Sequence, residues 1–163
     1  MVDFEIRDLG DQRDLRLLLD FMENKPLHYP DYMGWLNGPC KTDLDSGYKR
    51  AYVAWSGGRV VGDVVAQPHK ELQRTLELKN VRIDEDFRRR ALAFFLIKQP
   101  EADARGQFEQ ILCDSDSTQK DIHHLLTFAG FRLLGKEYLY SSSRLDYVFV
   151  KHISEPSDGI WIP

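Results

Sequence analysis

The chain of 163 residues is long enough for one domain, or for one domain with a tail. Its 42% hydrophobic and 29% charged residues are ordinary for a globular protein, and a core of this size needs no disulfide or metal. The net charge of −4 disfavours a general nucleic-acid binder, and no apolar stretch approaches the roughly 18 residues that cross a bilayer. Cys40 and Cys113 lack zinc-site spacing, so a disulfide between them is the open alternative. Because there is no signal-peptide pattern, we expect a cytoplasmic protein. No metal is expected, since zinc-site spacing is lacking.

The start of the chain predicts a strand, a helix and a long connection. Residues 4–7 alternate as a strand does, and Asp11 is placed to cap a helix that ends before Pro26. The connection over residues 24–48 is rich in Pro, Gly, Asp and aromatic residues. It predicts at most a short helix, over residues 31–36.

The middle of the chain predicts three strands in succession. Residues 51–65 alternate around Gly57 and Gly58, which is typical of a hairpin with a glycine turn. Residues 75–83 alternate again, but their apolar residues move from even to odd positions near Lys79 and Asn80. A phase slip of this kind predicts a β-bulge.

The rest of the chain alternates helices with strands and ends in a tail. The predicted elements are a helix over 89–105, a strand over 108–113, a helix over 118–129 and strands over 131–140 and 144–150. Gly106 and Gly130 follow the two helices, as terminators do. The polar segment 114–118 lacks the glycine and glutamate of a calcium loop and favours a capping role. We expect one domain over residues 1–152 and a C-terminal tail over 153–163.

A basic segment with small residues follows the strand predicted over 75–83 and opens the next helix. Arg88, Ala91 and Ala93 fit a spacing of Arg or Gln, two residues, Gly, one residue, and Gly or Ala, with alanine at the first glycine position. Backbone N–H groups at a helix start, together with the helix dipole, bind phosphate groups. Small side chains let phosphate oxygens reach those groups.

A second segment, residues 119–131, has matching apolar spacing and ends in Gly130-Phe131. Together with the order of elements, the two segments resemble the Gcn5-related N-acetyltransferase (GNAT) superfamily over about residues 3–151. The resemblance implies an α/β (α+β) fold. It would have a mixed, mostly antiparallel sheet of six or seven strands with helices on both faces.

The resemblance also implies acetyl-CoA as the co-substrate. In the family, a bulge splays this strand from the next one, and the pantetheine chain inserts between them by strand-like hydrogen bonds. The turn and the first helical residues would bind the pyrophosphate. The cofactor-binding residues implied in this way are Val81, Arg82, Ile83, Arg88, Arg89, Arg90, Ala91, Leu92 and Ala93.

Glu77 is the catalytic base that the resemblance implies, because histone-acetyltransferase members carry a glutamate at this spacing before the motif arginine. An acceptor ammonium, with a pKa of about 10.4, must lose a proton before it attacks a thioester, and a carboxylate can accept that proton. A solvent-facing strand glutamate is the alternative. Leu126 stands where the family often has a tyrosine that protonates the departing thiolate.

The connection over residues 24–48 lies where the family builds its acceptor pocket. The implied substrate-binding residues are Tyr29, Tyr32 and Trp35, whose aromatic walls would suit a cationic amine. The carboxylates that would add negative charge are Asp31, Asp43 and Asp45.

The predicted function is acetyl transfer from acetyl-CoA to an amine of a small molecule or a protein. The alternative is a GNAT-like module that binds coenzyme A or a partner protein without catalysis, and it is supported by Ala91 and Leu126. Nucleic-acid binding through residues 88–90 is disfavoured by the net charge of −4. No membrane partner is expected, and a homodimer is left open.

Overall fold

A seven-stranded sheet forms the centre of the protein over residues 3–153, the part of the chain that the computed structural model describes. Its strands are β1 Glu5–Asp8, β2 Arg50–Ser56, β3 Arg59–Pro68, β4 Thr75–Ile83, β5 Gln110–Asp116, β6 Arg132–Ser141 and β7 Arg144–His152. Their order across the sheet is β1-β2-β3-β4-β5-β7-β6. β4 and β5 pair in parallel, and the other neighbouring strands pair antiparallel. The mixed, mostly antiparallel sheet that the sequence predicts is confirmed.

Helices flank the sheet on both faces. They are α1 Gln12–Asn24, α2 Tyr32–Trp35, α3 Lys41–Asp45, α4 Leu92–Ala104 and α5 Lys120–Phe128. Asp11 caps α1 as predicted, because its Oδ1 accepts hydrogen bonds from the backbone N–H groups of Arg13 (2.8 Å) and Asp14 (2.9 Å). Within residues 3–153, no helix is both long and apolar enough to cross a membrane.

The connection between α1 and β2 is more helical than its composition predicts. A π-helical turn, Leu36–Cys40, joins α2 directly to α3. The predicted short helix over residues 31–36 is therefore wrong in its length. Three residues spaced four apart are buried: Leu36, Cys40 and Leu44. Their burial stabilises a helix that contains Pro39, which the wider π-turn accommodates.

The start of α4 also differs from the prediction. The sequence places it at about Arg89, but Arg89 and Ala91 have positive φ angles of 60° and 58°. Left-handed backbone cannot continue into a right-handed helix, so the first helical residue is Leu92. A tight turn therefore precedes α4.

Two hydrophobic clusters cover the two faces of the sheet. The first, here called the α4 cluster, contains Leu96 of α4 and Leu126 of α5, both fully buried. The second, here called the α1 cluster, contains Leu18 of α1 and Leu36 of the π-turn. The candidate site lies in the sheet between these two clusters, where β4 and β5 separate from each other.

The C-terminal end of the described chain is held in the domain. Ile153 is buried in the α4 cluster, and its N–H donates to the carbonyl of Glu109 at 2.8 Å. The rest of the predicted tail, residues 154–163 with Ile160, Trp161 and Ile162, lies outside the described residues.

Both cysteines are free and buried. The disulfide that the sequence leaves open between Cys40 and Cys113 does not form. Burial raises the pKa of the Cys40 thiol to about 12, with Lys49 acting in the opposite direction. The Cys40 thiol is therefore protonated and unreactive at neutral pH.

Candidate functional site

β4 and β5 separate halfway along β4. Residues 75–78 of β4 pair with residues 110–113 of β5. Further on, β4 stays paired with β3 as far as Ile83, whereas β5 stays paired with β7 as far as Asp116. The two strands therefore diverge, and a wedge-shaped opening, here called the gap, lies between their C-terminal halves.

A β-bulge at Lys79 marks the point of divergence. Two adjacent residues of β3 pair with Leu78 and Asn80, so Lys79 is an extra residue on β4. The bulge that the phase slip predicts is confirmed. Because the extra residue inverts the alternation of side chains, Leu78 before it and Val81 after it both pack against the α4 cluster.

The gap holds a cavity of about 120 Å³. Its walls come from β4, β5, α5 and the connection after α1, and its lining includes Tyr29, Lys79, Asn80, Val81, Cys113 and Asp114. Diverging strand edges present backbone N–H and C=O groups to whatever lies between them. A narrow opening of this kind suits an extended chain that carries amide groups.

The turn before α4 presents backbone amides and positive charge. Ala91 is the N-cap residue, and the first helical hydrogen bond of α4 runs from the N–H of Phe95 to the carbonyl of Ala91 at 3.1 Å. The N–H groups at the start of the helix have no partner within it, and groups of this kind bind anions. Arg88, Arg89 and Arg90 are all exposed around this turn.

Ala91 occupies the position where the spacing described above has glycine. Its φ of 58° and ψ of 6° are left-handed, a conformation that glycine adopts freely and alanine only with strain. The backbone therefore keeps the conformation that explains the glycine. The side chain that replaces it is the smallest available.

Two predicted cofactor residues have side chains that point away from the gap. Leu92 is buried in the α4 cluster. Arg82 is buried on the opposite face, where its Nε lies 3.6 Å from Oδ1 of Asp63 and its guanidinium lies over the ring of Tyr32. For these two residues, only the backbone is available to a ligand.

A second cavity, here called the cleft, opens beside the gap with a volume of about 570 Å³. Its lining includes Tyr29, Trp35, Gln67, Glu77, Lys79, Asn80 and Tyr140. Tyr29, Lys79 and Asn80 line the gap as well, so the two cavities meet at the bulge. A molecule in the cleft would face the end of a chain held in the gap.

The predicted aromatic walls are present only in part. Tyr29 and Trp35 line the cleft, but Tyr32 does not belong to its lining. Tyr32 is 5% exposed, and its hydroxyl donates to the carbonyl of Met22 at 3.0 Å. Placing Tyr32 in the acceptor pocket is therefore corrected: α2 turns this ring inward, under Arg82.

The cleft is not acidic, contrary to the predicted negative charge. Asp43 lines it but pairs with Lys49 at 2.6 Å, and Glu77 pairs with Lys79 at 2.6 Å. Asp31 and Asp45 are exposed and do not line the cleft. The carboxylates in the cleft wall are thus balanced by lysines.

Glu77 faces the cleft, with its side chain 14% exposed. Its Oε1 accepts from Nζ of Lys79 at 2.6 Å, and its Oε2 accepts from Nε2 of Gln67 at 3.0 Å. Both oxygens of the predicted base are therefore already engaged within the protein.

Tyr140 and Asp114 join the cleft to the gap, and the sequence did not single out either residue for the site. The hydroxyl of Tyr140 donates to Oδ2 of Asp114 at 2.9 Å. Burial raises the pKa of the Asp114 carboxyl, and Lys79 opposes this effect. Burial, followed by the nearby Asp114 carboxylate, raises the pKa of the Tyr140 hydroxyl. A carboxylate with a neutral hydroxyl as its partner thus lies between the two cavities.

Leu126, at the position where the resemblance places a tyrosine, is fully buried in the α4 cluster. It takes part in packing and reaches neither cavity. The site has no proton donor at this point of α5.

The chain matches the model of a known protein family. The profile of the acetyltransferase (GNAT) family matches residues 15–131. The chain belongs to the GNAT family. No curated protein matches the sequence.

Solved structures of GNAT proteins share the fold. A protein from Desulfovibrio desulfuricans assigned to the GNAT family superposes with a TM-score of 0.80 at 12% identity, over 93% of this chain and 99% of the other. An aminoglycoside 6'-N-acetyltransferase complexed with coenzyme A gives a TM-score of 0.74 at 14% identity, over 94% and 99%. The ribosomal-protein-S18-alanine N-acetyltransferase from Escherichia coli gives 0.72 at 13% identity, over 98% and 100%. At these identities the likeness shows the GNAT fold.

Proposed function

We propose that the protein transfers an acetyl group from acetyl-CoA to an amine. The observation that carries the proposal is the gap between β4 and β5 together with the left-handed turn at Ala91. These two features are made of backbone, and each suits one part of coenzyme A. Membership of the GNAT family and the coenzyme A complex of one structural neighbour support the same cofactor.

The residues that would hold acetyl-CoA follow from this geometry. Val81 and Ile83 would form strand-like hydrogen bonds with pantetheine through their backbone. The N–H groups that begin α4, from Leu92 onward, would bind the pyrophosphate, with Arg88–Arg90 adding positive charge. The co-substrate supplies an activated acyl group, and the protein orients it toward the cleft.

The acceptor amine would enter the cleft and meet the acetyl group at the bulge. Tyr29 and Trp35 give its wall apolar surface, while the lysine-balanced carboxylates leave little net charge. The cleft therefore does not select for a strongly cationic molecule. An amine of a small molecule or of a protein fits this description equally, and structural neighbours include enzymes named for each kind.

Glu77 stays a candidate for the base that deprotonates the acceptor, since it borders the cleft. Both of its oxygens accept hydrogen bonds, so the competing proposal is that Glu77 holds Lys79 and Gln67 in position. Replacement of Glu77 by Gln removes the proton acceptor, so it should lower kcat if Glu77 is the base and leave kcat nearly unchanged if it is not.

The second candidate function is binding of coenzyme A without catalysis. The burial of Leu126 and the alanine at position 91 favour it, because both depart from the family pattern. Measurements of binding and of transfer distinguish the two functions.

Thermal unfolding with acetyl-CoA and with desulfo-CoA tests cofactor binding. A ligand at ~100 times its dissociation constant stabilises by about 2.7 kcal/mol, so both compounds should raise the melting temperature. Transfer is then tested with a panel of amines: an alanyl peptide, a lysyl peptide, a polyamine and an aminoglycoside. Absence of any thermal shift at millimolar acetyl-CoA would overturn the enzyme proposal, and a shift without transfer would favour the binding module.

A further inference from the structure

Two side chains connect the space for the acceptor with the space for the cofactor. Tyr140, at the end of β6, lines the cleft, and Asp114 of β5 lines the gap. Their hydrogen bond of 2.9 Å spans the boundary between the two cavities. Acetyl transfer to an amine moves one proton from nitrogen to sulfur, and the hydrogen bond between Tyr140 and Asp114 offers a direct route between the two cavities.

The hydroxyl of Tyr140 is oriented for this transfer. Because its O–H donates to Asp114, its oxygen lone pairs remain available to accept a hydrogen bond from an N–H group in the cleft. The ring is fixed by an edge contact with Tyr29, at 5.3 Å between centroids, and by the Arg144 guanidinium, at 5.0 Å from its centroid. A proton acceptor must be held in this way to act at a defined atom.

We propose that Tyr140 and Asp114 relay the proton in acetyl transfer, an inference that rests on the proposed function. As the N–C bond forms from the neutral amine, the N–H bond breaks and Oη of Tyr140 takes the proton. The original hydroxyl proton of Tyr140 passes to Oδ2 of Asp114. When the C–S bond breaks, Asp114 gives its proton to the sulfur, and both side chains return to their starting states.

The charges around Asp114 are consistent with this role. The groups that face it are Lys79 and Glu77 of β4, Arg144 and Asp146 of β7, and Tyr29. Glu77 pairs with Lys79 at 2.6 Å, and Asp146 pairs with Arg144 at 2.7 Å, whereas the hydrogen-bond partner of Asp114 is a neutral hydroxyl. Burial raises the pKa of Asp114, which brings a carboxyl closer to the pH at which it can both accept and donate a proton.

The relay also accounts for Leu126. The family position for a proton donor on α5 is apolar and fully buried here. The hydroxyl of Tyr140 on β6 would supply the donor and acceptor atoms that position 126 lacks.

The test compares Tyr140→Phe and Asp114→Asn with the wild-type protein, using the amine of the panel that is acetylated fastest. Both variants should lower kcat by about a hundredfold or more, the low range for loss of a general base. The acetyl-CoA thermal shift should not change. We expect the kcat of the wild type to fall at low pH as Asp114 becomes protonated, and we expect this fall to be absent in Asp114→Asn.

Tyr138→Phe is the matched control, because Tyr138 lies two residues earlier on β6 and is 62% exposed. It should turn over like the wild type. If Tyr140→Phe and Asp114→Asn both retain kcat within a few-fold, the relay is overturned, and a loss of kcat in Glu77→Gln then assigns the base to Glu77. If wild-type protein binds acetyl-CoA but acetylates no amine, the proposed function fails and the relay fails with it, and this result is distinguishable from the first.

Discussion

A fully buried carboxylate and a half-buried one, on the strands either side of β4, show how partner and access separate two roles. Asp63 of β3 is 0% exposed, faces the guanidinium of Arg82 at 3.6 Å, and borders neither the gap nor the cleft. Asp114 of β5 borders the gap and accepts from a neutral hydroxyl. Burial raises the pKa of both carboxyls, against an opposing cation in each case.

The two carboxylates differ in the side chain that each one faces and in whether a cavity gives access to them. Asp63 faces Arg82 in a closed core and borders neither cavity, so that side chain serves the fold. A tyrosine beside a cavity leaves the proton of Asp114 free to move, so that side chain can serve a reaction. Removal of the Asp63 carboxylate should therefore lower stability, whereas removal of the Asp114 carboxylate should leave it unchanged or raise it.

The largest effect is expected for Asp63→Asn. The substitution leaves the buried Arg82 without a counter-charge, which should lower the free energy of unfolding by about 3–5 kcal/mol. Urea unfolding measures this loss. The double variant Asp63→Leu with Arg82→Met should recover most of it, since an apolar pair replaces both charges. A loss below about 1 kcal/mol for the single variant would contradict a structural role for the pair.

A smaller effect of opposite sign is expected at Ala91. Replacement by Gly relieves the left-handed strain at φ 58° and should raise the free energy of unfolding by about 0.5–1 kcal/mol. Replacement by Val should lower it by about 1 kcal/mol or more and weaken acetyl-CoA binding, because a branched side chain fits neither the backbone nor an approaching phosphate. Calorimetry with acetyl-CoA checks the binding. Equal stability of the Gly and Val variants would show that the turn relaxes in solution.

The smallest effect is expected for Asp114→Asn. Its free energy of unfolding at pH 7 should match or exceed that of the wild type, within about 1 kcal/mol, because an amide oxygen can still accept from Tyr140. The sign follows from the raised pKa of Asp114 in the folded protein. The stability linked to its protonation is present below the ordinary Asp pKa of about 3.9 and is lost as the pH rises through the folded value.

The wild type should therefore lose stability relative to Asp114→Asn as the pH rises from about 4 toward neutrality. Urea titrations at several pH values measure the difference. The opposite trend would mean that Asp114 is stabilised in its charged form and is a poor proton acceptor.

Local patterns in the sequence predict most of the fold. The alternation of apolar residues predicts β4 over 75–83, as found, and its phase slip predicts the bulge at Lys79. Elements whose stability depends on distant contacts are predicted less well. The helical backbone after α2 depends on burial of Leu36, Cys40 and Leu44, which composition does not reveal.

The features of the candidate site also differ in whether they depend on local sequence or on contacts between distant residues. The gap begins at the bulge that the phase slip near Lys79 and Asn80 predicts, whereas the left-handed turn at Ala91 stands where the sequence predicts helix from about Arg89. The pair of Asp114 and Tyr140 joins residues 26 positions apart, and β6 and β7 pair with register shifts, so no local pattern brings them together. The inward side chain of Tyr32 depends on the helical connection in the same way. The catalytic role of Glu77 stays a prediction.

The parallel pairing of β4 with β5 has a consequence for the order of folding. The hairpins β2–β3 and β6–β7 close short loops, but Thr75 meets Gln110 only after the intervening chain, including α4, has been brought back. Contacts between residues so far apart in sequence form late, because the entropy of closing a long loop must be overcome first. We therefore expect substitutions that line the gap to change the unfolding rate and to leave the refolding rate nearly as it was.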